Sequence, residues 1–203
     1  MTEQFSLPLG APKQSPRVVV FDLETLRGAD EVGGWSNVQR MGMACGVCYD
    51  TSDGQYHVYE EKDVPSLVNH LRRADLIVGF NHVRFDYKVL SGYSDTNLIA
   101  LPNLDMLLEI ENVLGFRLKL DSLAKATLGE TKSADGLQSL RWVKEGRLDL
   151  VREYCKKDVE VTKKLFEYGV REGHVVFEKS GLPTQIPVHW NIEKLTQAKL
   201  RSR

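Results

Sequence analysis

Asp22 and Glu24 in Val-Phe-Asp-Leu-Glu-Thr, Asp86 in Asn-His-Val-Arg-Phe-Asp and Asp158 in Tyr-Cys-Lys-Lys-Asp are acids set among apolar neighbours. Carboxylates in such surroundings are costly unless they are paired, hydrogen-bonded or bound to metal. A shared divalent cation would stabilise all four at once. No cluster of histidines or cysteines accompanies them, so the donor set is oxygen only, which selects magnesium or manganese over zinc. Two such ions, roughly 4 Å apart, activate a water and stabilise the leaving oxygen in an in-line displacement at phosphorus. Phosphodiester hydrolysis is the reaction such a set serves best.

Each acid also has a plainer explanation. Alternate residues of a strand share a face, so Asp22 and Glu24 point with Val18 and Val20 while Val19, Phe21 and Leu23 point the other way. Two acids where an apolar face stops could be a strand end running into solvent. Asp158 falls within the stripe formed by Val151, Cys155, Val159, Thr162, Leu165 and Phe166, with Tyr154 one turn earlier on the same face. Its ordinary explanation is an ion pair with a lysine such as Lys157. Asp86 is spaced to share a helical face with Leu90 and Tyr93, and an acid near a helix N-terminus is favoured by the dipole in any case.

The elements that must carry these acids can be read from periodicity. Residues 17–24 form a β-branched, apolar run expected to be a central strand, and residues 41–49 and 55–61 are expected to pair through a turn at 50–54. The polar, glycine-containing loop of residues 27–40 is long for a hairpin and could overhang the site. A helix is expected over 64–74, a buried strand over 75–80, and a helix from an Asn81 cap to about residue 93. Further helices are expected over 104–114, 120–128 with Gly129 closing it, and 148–169, the longest. Residues 174–190 could be a hairpin or a loose extension. Strands grouped first and then alternating with helices describe an α/β chain with a mixed sheet.

The whole chain bounds the function. At 203 residues, 42% hydrophobic and 27% charged, it has ordinary globular composition and can bury a sizeable core. No apolar run approaches the roughly 20 residues of a membrane helix, and the N-terminus lacks the layout of a secretory signal. The expectation is a cytoplasmic protein without a membrane partner. Three cysteines are too few for a disulfide framework, and Cys45 and Cys48, three apart on a strand, face opposite sides as two buried small residues. A net charge of −1 argues against binding nucleic acid by bulk electrostatics. Basic residues from Lys125 to Lys164 crowd the second half, where they could flank an acidic pocket or line a solvated helix face. Lys132 could reach a substrate phosphate or be solvated.

In order and spacing, Asp22-Leu-Glu24, Asn81-His-Val-Arg-Phe-Asp86 and Tyr154-Cys-Lys-Lys-Asp158 resemble the three exonuclease motifs of the DEDD superfamily, which contains proofreading 3′-5′ exonucleases. The similarity runs from about residue 17 to 169. One subgroup has a histidine five residues before the last Asp, the other a tyrosine four before it. With Glu153 and Tyr154 at those positions, the chain resembles the tyrosine (DEDDy) subgroup.

The resemblance implies a ribonuclease H-like domain over 17–173, a mixed five-stranded sheet with helices on both faces. It lies between an extended N-terminal arm (1–16) and a C-terminal extension (174–203). It implies that Asp22, Glu24, Asp86 and Asp158 hold two ions, Mg2+ or Mn2+, and that Tyr154 orients the attacking water. Leu23 and Thr25 could contact the terminal nucleotide, while Asn81 and Phe85 shape the site. Asp105 lies where relatives often carry an acid and could support the site or cap a helix. His82 is not at the family's catalytic histidine position and receives no role.

The tyrosine subgroup includes proofreading domains of family-B polymerases and several RNA-processing enzymes, and residues 120–132 resemble the former. The implied function is hydrolysis of single-stranded DNA or RNA from the 3′ end to 5′-mononucleotides. With no polymerase, helicase or zinc-binding region evident, the exonuclease would act alone or be recruited by a partner such as a helicase or polymerase. Two other readings share the residues. One is an inactive nucleic-acid-binding or docking module, disfavoured because all four acids and the tyrosine are present. The other is a phosphodiesterase specific for short oligonucleotides, compatible with the lack of an obvious basic face.

Overall fold

A computed structural model describes residues 15–130 and 136–201. Most of the expected N-terminal arm, and Lys132, lie outside the described residues. Strand β1 (Val18–Thr25) is central, paired antiparallel with β2 (Met43–Asp50) and parallel with β4 (Leu76–Gly79). The outer strands β3 (Gln55–Glu60) and β5 (Asn103–Asp105) complete a mixed five-stranded sheet of order β3-β2-β1-β4-β5. β1 and β4 read as unbroken apolar runs because helices cover both sides of them. The topology is ribonuclease H-like.

On one face lie α3 (Met106–Leu114), α4 (Leu120–Leu128) and α6 (Leu148–Glu172), whose buried stripe packs on Val18, Val20, Val47 and Val78. On the other lie α1 (Val64–Arg72) and α2 (Asp86–Leu90), against Val19, Phe21, Leu23 and Ile77. The period-two alternation of β1 therefore divides the molecule into two cores. Cys45 belongs to the first and Cys48 to the second, as opposite-facing strand residues must. All three cysteines are free and buried.

Two helices run beyond the sequence expectation: α5 (Gly136–Lys144) and α7 (Ile192–Arg201). Residues 174–190 begin as a hairpin of β6 (His174–Lys179) and β7 (Leu182–Pro187), joined by Ser180 and Gly181, both at positive φ as a two-residue hairpin turn requires. Val175, Phe177, Ile186, Val188 and Trp190 are buried in the α6-side core, so the segment is packed rather than loose. Trp190 stacks on Phe166 and crosses α6 at Gly169, where a Cβ would sit 2.3 Å from the indole.

Three local expectations need correction. Residues 103–105 are a strand, and the helix starts only at Met106 because Asp105 caps it, accepting from the amides of Leu107 (3.1 Å) and Leu108 (3.3 Å). Asn81 does not cap a long helix. It sits at φ 70°, and α2 begins only at Asp86 and ends at Leu90. Tyr93, expected to share a face with Asp86, instead lies past that helix and bonds Glu61 and the Met43 amide. Among the described residues no helix is long and apolar enough to cross a membrane.

Candidate active site

β1 positions the first two acids. Val18 and Val20 bury against α6, and the same strand face continues as Asp22 and Glu24, half-buried where the pairing of β1 with β2 shifts register after Glu24. α6 brings the third. Tyr154, Cys155 and Asp158 lie on its buried stripe, which packs on β1 and β2. One carboxylate oxygen each from Asp22, Glu24 and Asp158 lies within 4.8 Å of the others, a spacing that can hold a metal ion. Lys157, the proposed ion-pair partner of Asp158, pairs with Glu160 at 3.2 Å and lies 3.9 Å from Glu130.

Asp86 enters from a different element. Its carboxylate accepts the Leu23 amide at 3.0 Å, which ties the start of α2 to β1 between the two strand acids. Burial pushes its pKa up to about 7, against the amide hydrogen bonds that favour the charged form. The loop ahead of it hangs on Asp105, which accepts from the amides of Asn81 (2.8 Å) and Val83 (3.0 Å) besides capping α3. One carboxylate thus fixes the second motif and the following helix together. It explains the left-handed Asn81, whose side-chain oxygen accepts from Arg117 at 2.7 Å. His82 is buried beneath this loop, bonding Asn103 at 3.2 Å, and its closeness to β4 requires Gly79, where a Cβ would meet its ring at 2.7 Å.

The nine residues to which the motif resemblance gives a catalytic or substrate-binding role line one cleft of about 710 Å³: Asp22, Leu23, Glu24, Thr25, Asn81, Phe85, Asp86, Tyr154 and Asp158. Asp86 is beside the three-oxygen cluster and not a member of it. Leu23 is buried, and Thr25 is turned inward with its hydroxyl donating to the Arg27 carbonyl at 3.1 Å. Tyr154 is buried, and its pKa is driven far above the usual tyrosine value, first by burial and then by the negative charge of Asp158, Glu24 and Asp22. It keeps its proton at neutral pH. The Cys155 thiol lies 3.4 Å from the Asp22 carbonyl and 3.7 Å from its carboxylate.

The remaining walls come in part from the loop expected to overhang the site and in part from residues that the sequence did not flag. Trp35, Arg27 and Met41 come from the loop after β1, as the long loop suggested, while Leu137, Leu140 and Lys119 come from α5 and the start of α4. Their signals were faint: a tryptophan after two glycines, and two leucines at an i, i+3 spacing. Several of the basic residues crowding the second half pair with acids. Lys144 pairs with Glu31, Arg152 with Glu60, Lys163 with Glu167 and Lys164 with Glu130 and Glu160.

The donor set of the cluster is all carboxylate oxygen, which fits a hard divalent cation. No family model and no curated protein matches the chain. Among solved structures, similarity extends to the family B DNA polymerase of the hyperthermophilic archaeon Pyrobaculum calidifontis, with TM-score 0.59, 20% identity and 77% of this chain covered. The chain shares its fold with part of a polymerase. It corresponds to 25% of that polymerase chain, and at such identity the likeness speaks for the fold alone.

Proposed function

We propose that the chain is a metal-dependent 3′-5′ exonuclease of the tyrosine DEDD type, which hydrolyses single-stranded nucleic acid to 5′-mononucleotides. The observation that carries this reading is the meeting of Asp22 and Glu24 with Asp158, from motifs near opposite ends of the chain, within 4.8 Å on a cleft that also holds Asp86 and Tyr154. The motif resemblance and the fold shared with a family B polymerase point the same way, since the proofreading domains of such polymerases belong to the tyrosine subgroup.

In this reading Asp22, Glu24, Asp86 and Asp158 hold two Mg2+ or Mn2+ ions. Ions bound there supply a Lewis acid for the phosphate and lower the pKa of a bound water. Protonated Tyr154, beside Asp158 on α6, orients the water that attacks phosphorus. The bond to the 3′ oxygen of the preceding nucleotide breaks, and a 5′-mononucleotide leaves. Leu23 and Thr25 border the terminal nucleotide, Asn81 and Phe85 shape the wall beside it, and Asp105 acts through the loop that it holds.

Lys157, Lys163 and Lys164 are paired with acids and the cleft walls carry Arg27 and Lys119, a sparse set of cations that leaves a short oligonucleotide as the second substrate reading. Salt separates the two. A long tracked strand gives steep loss of affinity with ionic strength and a dinucleotide gives little. Processive work on long strands would need a recruiting protein such as a helicase or polymerase.

The test is incubation of the purified protein with 5′-labelled single-stranded DNA and RNA, with manganese or with chelator. The expected result is a ladder shortening from the 3′ end, releasing 5′-mononucleotides only when metal is present. Intact strands under both conditions, or shortening from the 5′ end, would rule the reading out.

A further inference from the structure

Trp35 belongs to none of the three motifs, yet it lines the cleft and is 72% exposed, the most exposed large apolar side chain among the described residues. A tryptophan offers on the order of 200 Å² of surface, and leaving it in water forgoes much of the favourable burial open to an aromatic. Its exposure is built in. Gly33 and Gly34, at φ 86° and 104°, turn the chain into the short helix that begins at Trp35, and Asn37 clamps it by donating to the Val32 carbonyl at 2.9 Å. Buried Val32, Val38 and Met41 anchor the loop beneath, while Arg27 closes its base through the Arg40 carbonyl at 3.1 Å.

The indole meets Phe85 with ring centroids 6.3 Å apart and planes tilted by 58°, and Phe85 directly precedes Asp86. A tilted contact supports one aromatic by another and leaves a ring face open. Flat apolar rings are what unpaired bases seek, because every base has a π-face and stacking is blind to sequence. The cleft offers cations sparingly, with Arg27 and Lys119 on its walls, so stacking must supply grip that phosphate contacts do not.

We infer that Trp35, backed by Phe85, stacks on an unpaired base of the strand next to the terminal nucleotide. The site then takes single strands of two or more nucleotides, of either sugar, and discriminates against paired ends and one-nucleoside esters. This rests on the exonuclease reading for which base is gripped, but the grip itself does not require hydrolysis. A base within a duplex is already stacked and paired, and pulling it out costs a few kcal/mol.

Binding of labelled oligothymidylate and oligouridylate in chelator, followed by fluorescence anisotropy, separates the two ideas. Trp35→Ala should weaken both roughly 5- to 100-fold, and Trp35→Phe should recover most of the loss. With manganese, the fall in kcat/KM on the oligonucleotide should exceed the fall on thymidine 5′-(4-nitrophenyl phosphate) by about tenfold. Thermal unfolding of Trp35→Ala should match the parent protein, since the side chain is exposed. Equal oligonucleotide affinity with and without Trp35, or equal losses on both substrates, overturns the inference. Trp35-dependent binding without hydrolysis would instead sink the exonuclease reading and leave the stacking intact.

Discussion

Two groups of metal-ligand type stand at opposite ends of the β1–β2 pair, and they are built differently. Asp22, Glu24 and Asp158 form one, while Asp50, Asp53 and His57 form the other, each with ligand atoms within 4.8 Å. Asp50 accepts from the Arg17 guanidinium at 2.9 Å and from the Ser52 amide at 2.8 Å, and lies 2.8 Å from His70 Nε2, whose other nitrogen meets the Tyr59 hydroxyl at 2.6 Å. Burial alone would raise its pKa, but the hydrogen bonds from Arg17 and Ser52 outweigh that and hold it well below the usual carboxylate range. The cleft acids sit beside one another's charge; the Tyr154 pKa is driven up first by burial and then by that charge, and Asp86 is raised by burial. Proximity of acids is common to both groups. What separates them is their setting: Asp50 is buried against the Arg17 guanidinium, whereas Asp22, Glu24 and Asp158 line the cleft.

The largest expected effect is on the cleft side. Asp22→Ala or Asp158→Ala should abolish degradation with magnesium or manganese, by a thousandfold or more, on the order of what loss of preorganised electrostatic stabilisation costs. Urea unfolding of the metal-free protein should show stability kept or slightly raised, as carboxylate repulsion is relieved. Activity retained in either variant breaks the comparison. Asp50→Ala should do the reverse, costing about 3 kcal/mol by stranding its buried partners, with activity of the folded protein kept within about twofold.

Acid should find the same division. The Asp50 carboxyl has a folded pKa below its unfolded value, so its stabilisation is full above about pH 4 and is lost as pH falls further. Burial lowers the His70 pKa below its ordinary 6.5, so the unfolded chain takes up that proton first and stability begins to decline below that value. Both act in one direction: unfolding free energy should fall below about pH 7 through His70 and further below about pH 4 through Asp50, and Asp50→Asn should flatten the part below pH 4 while Asp22→Ala should not. The smallest effect is at Tyr154. Tyr154→Phe should lower the hydrolysis rate about tenfold, the worth of one hydrogen bond, with KM for a single strand little changed.

Much of the site was legible in the chain because local periodicity fixes which face a residue takes. The alternation of β1 set Asp22 and Glu24 on the α6 side, and the stripe through Val151, Cys155 and Val159 placed Asp158 and Tyr154 against it. The 81–86 segment was misread as the start of a helix. Asn and Asp are favoured at caps, but here Asp105, far along the chain, takes the amides of Asn81 and Val83 and prevents the helix from starting there. Helix α5 left little trace, because its cleft-facing Leu137 and Leu140 make a short stripe in an otherwise mixed segment.

The sequence by itself determined the sheet-and-helix order, the two-sided burial of β1 and the acids that face one side of it, because period-two and period-3.6 patterns are properties of the local backbone. Only the tertiary structure decided that three of those acids come within 4.8 Å, that Asp86 reaches Leu23 across the sheet end, and that Trp35 stands open on the cleft wall. Those facts depend on where α6, the Asp105-held loop and the stapled loop after β1 are packed. Contacts between distant segments follow from the shape of a shared core, which no single stretch of chain encodes.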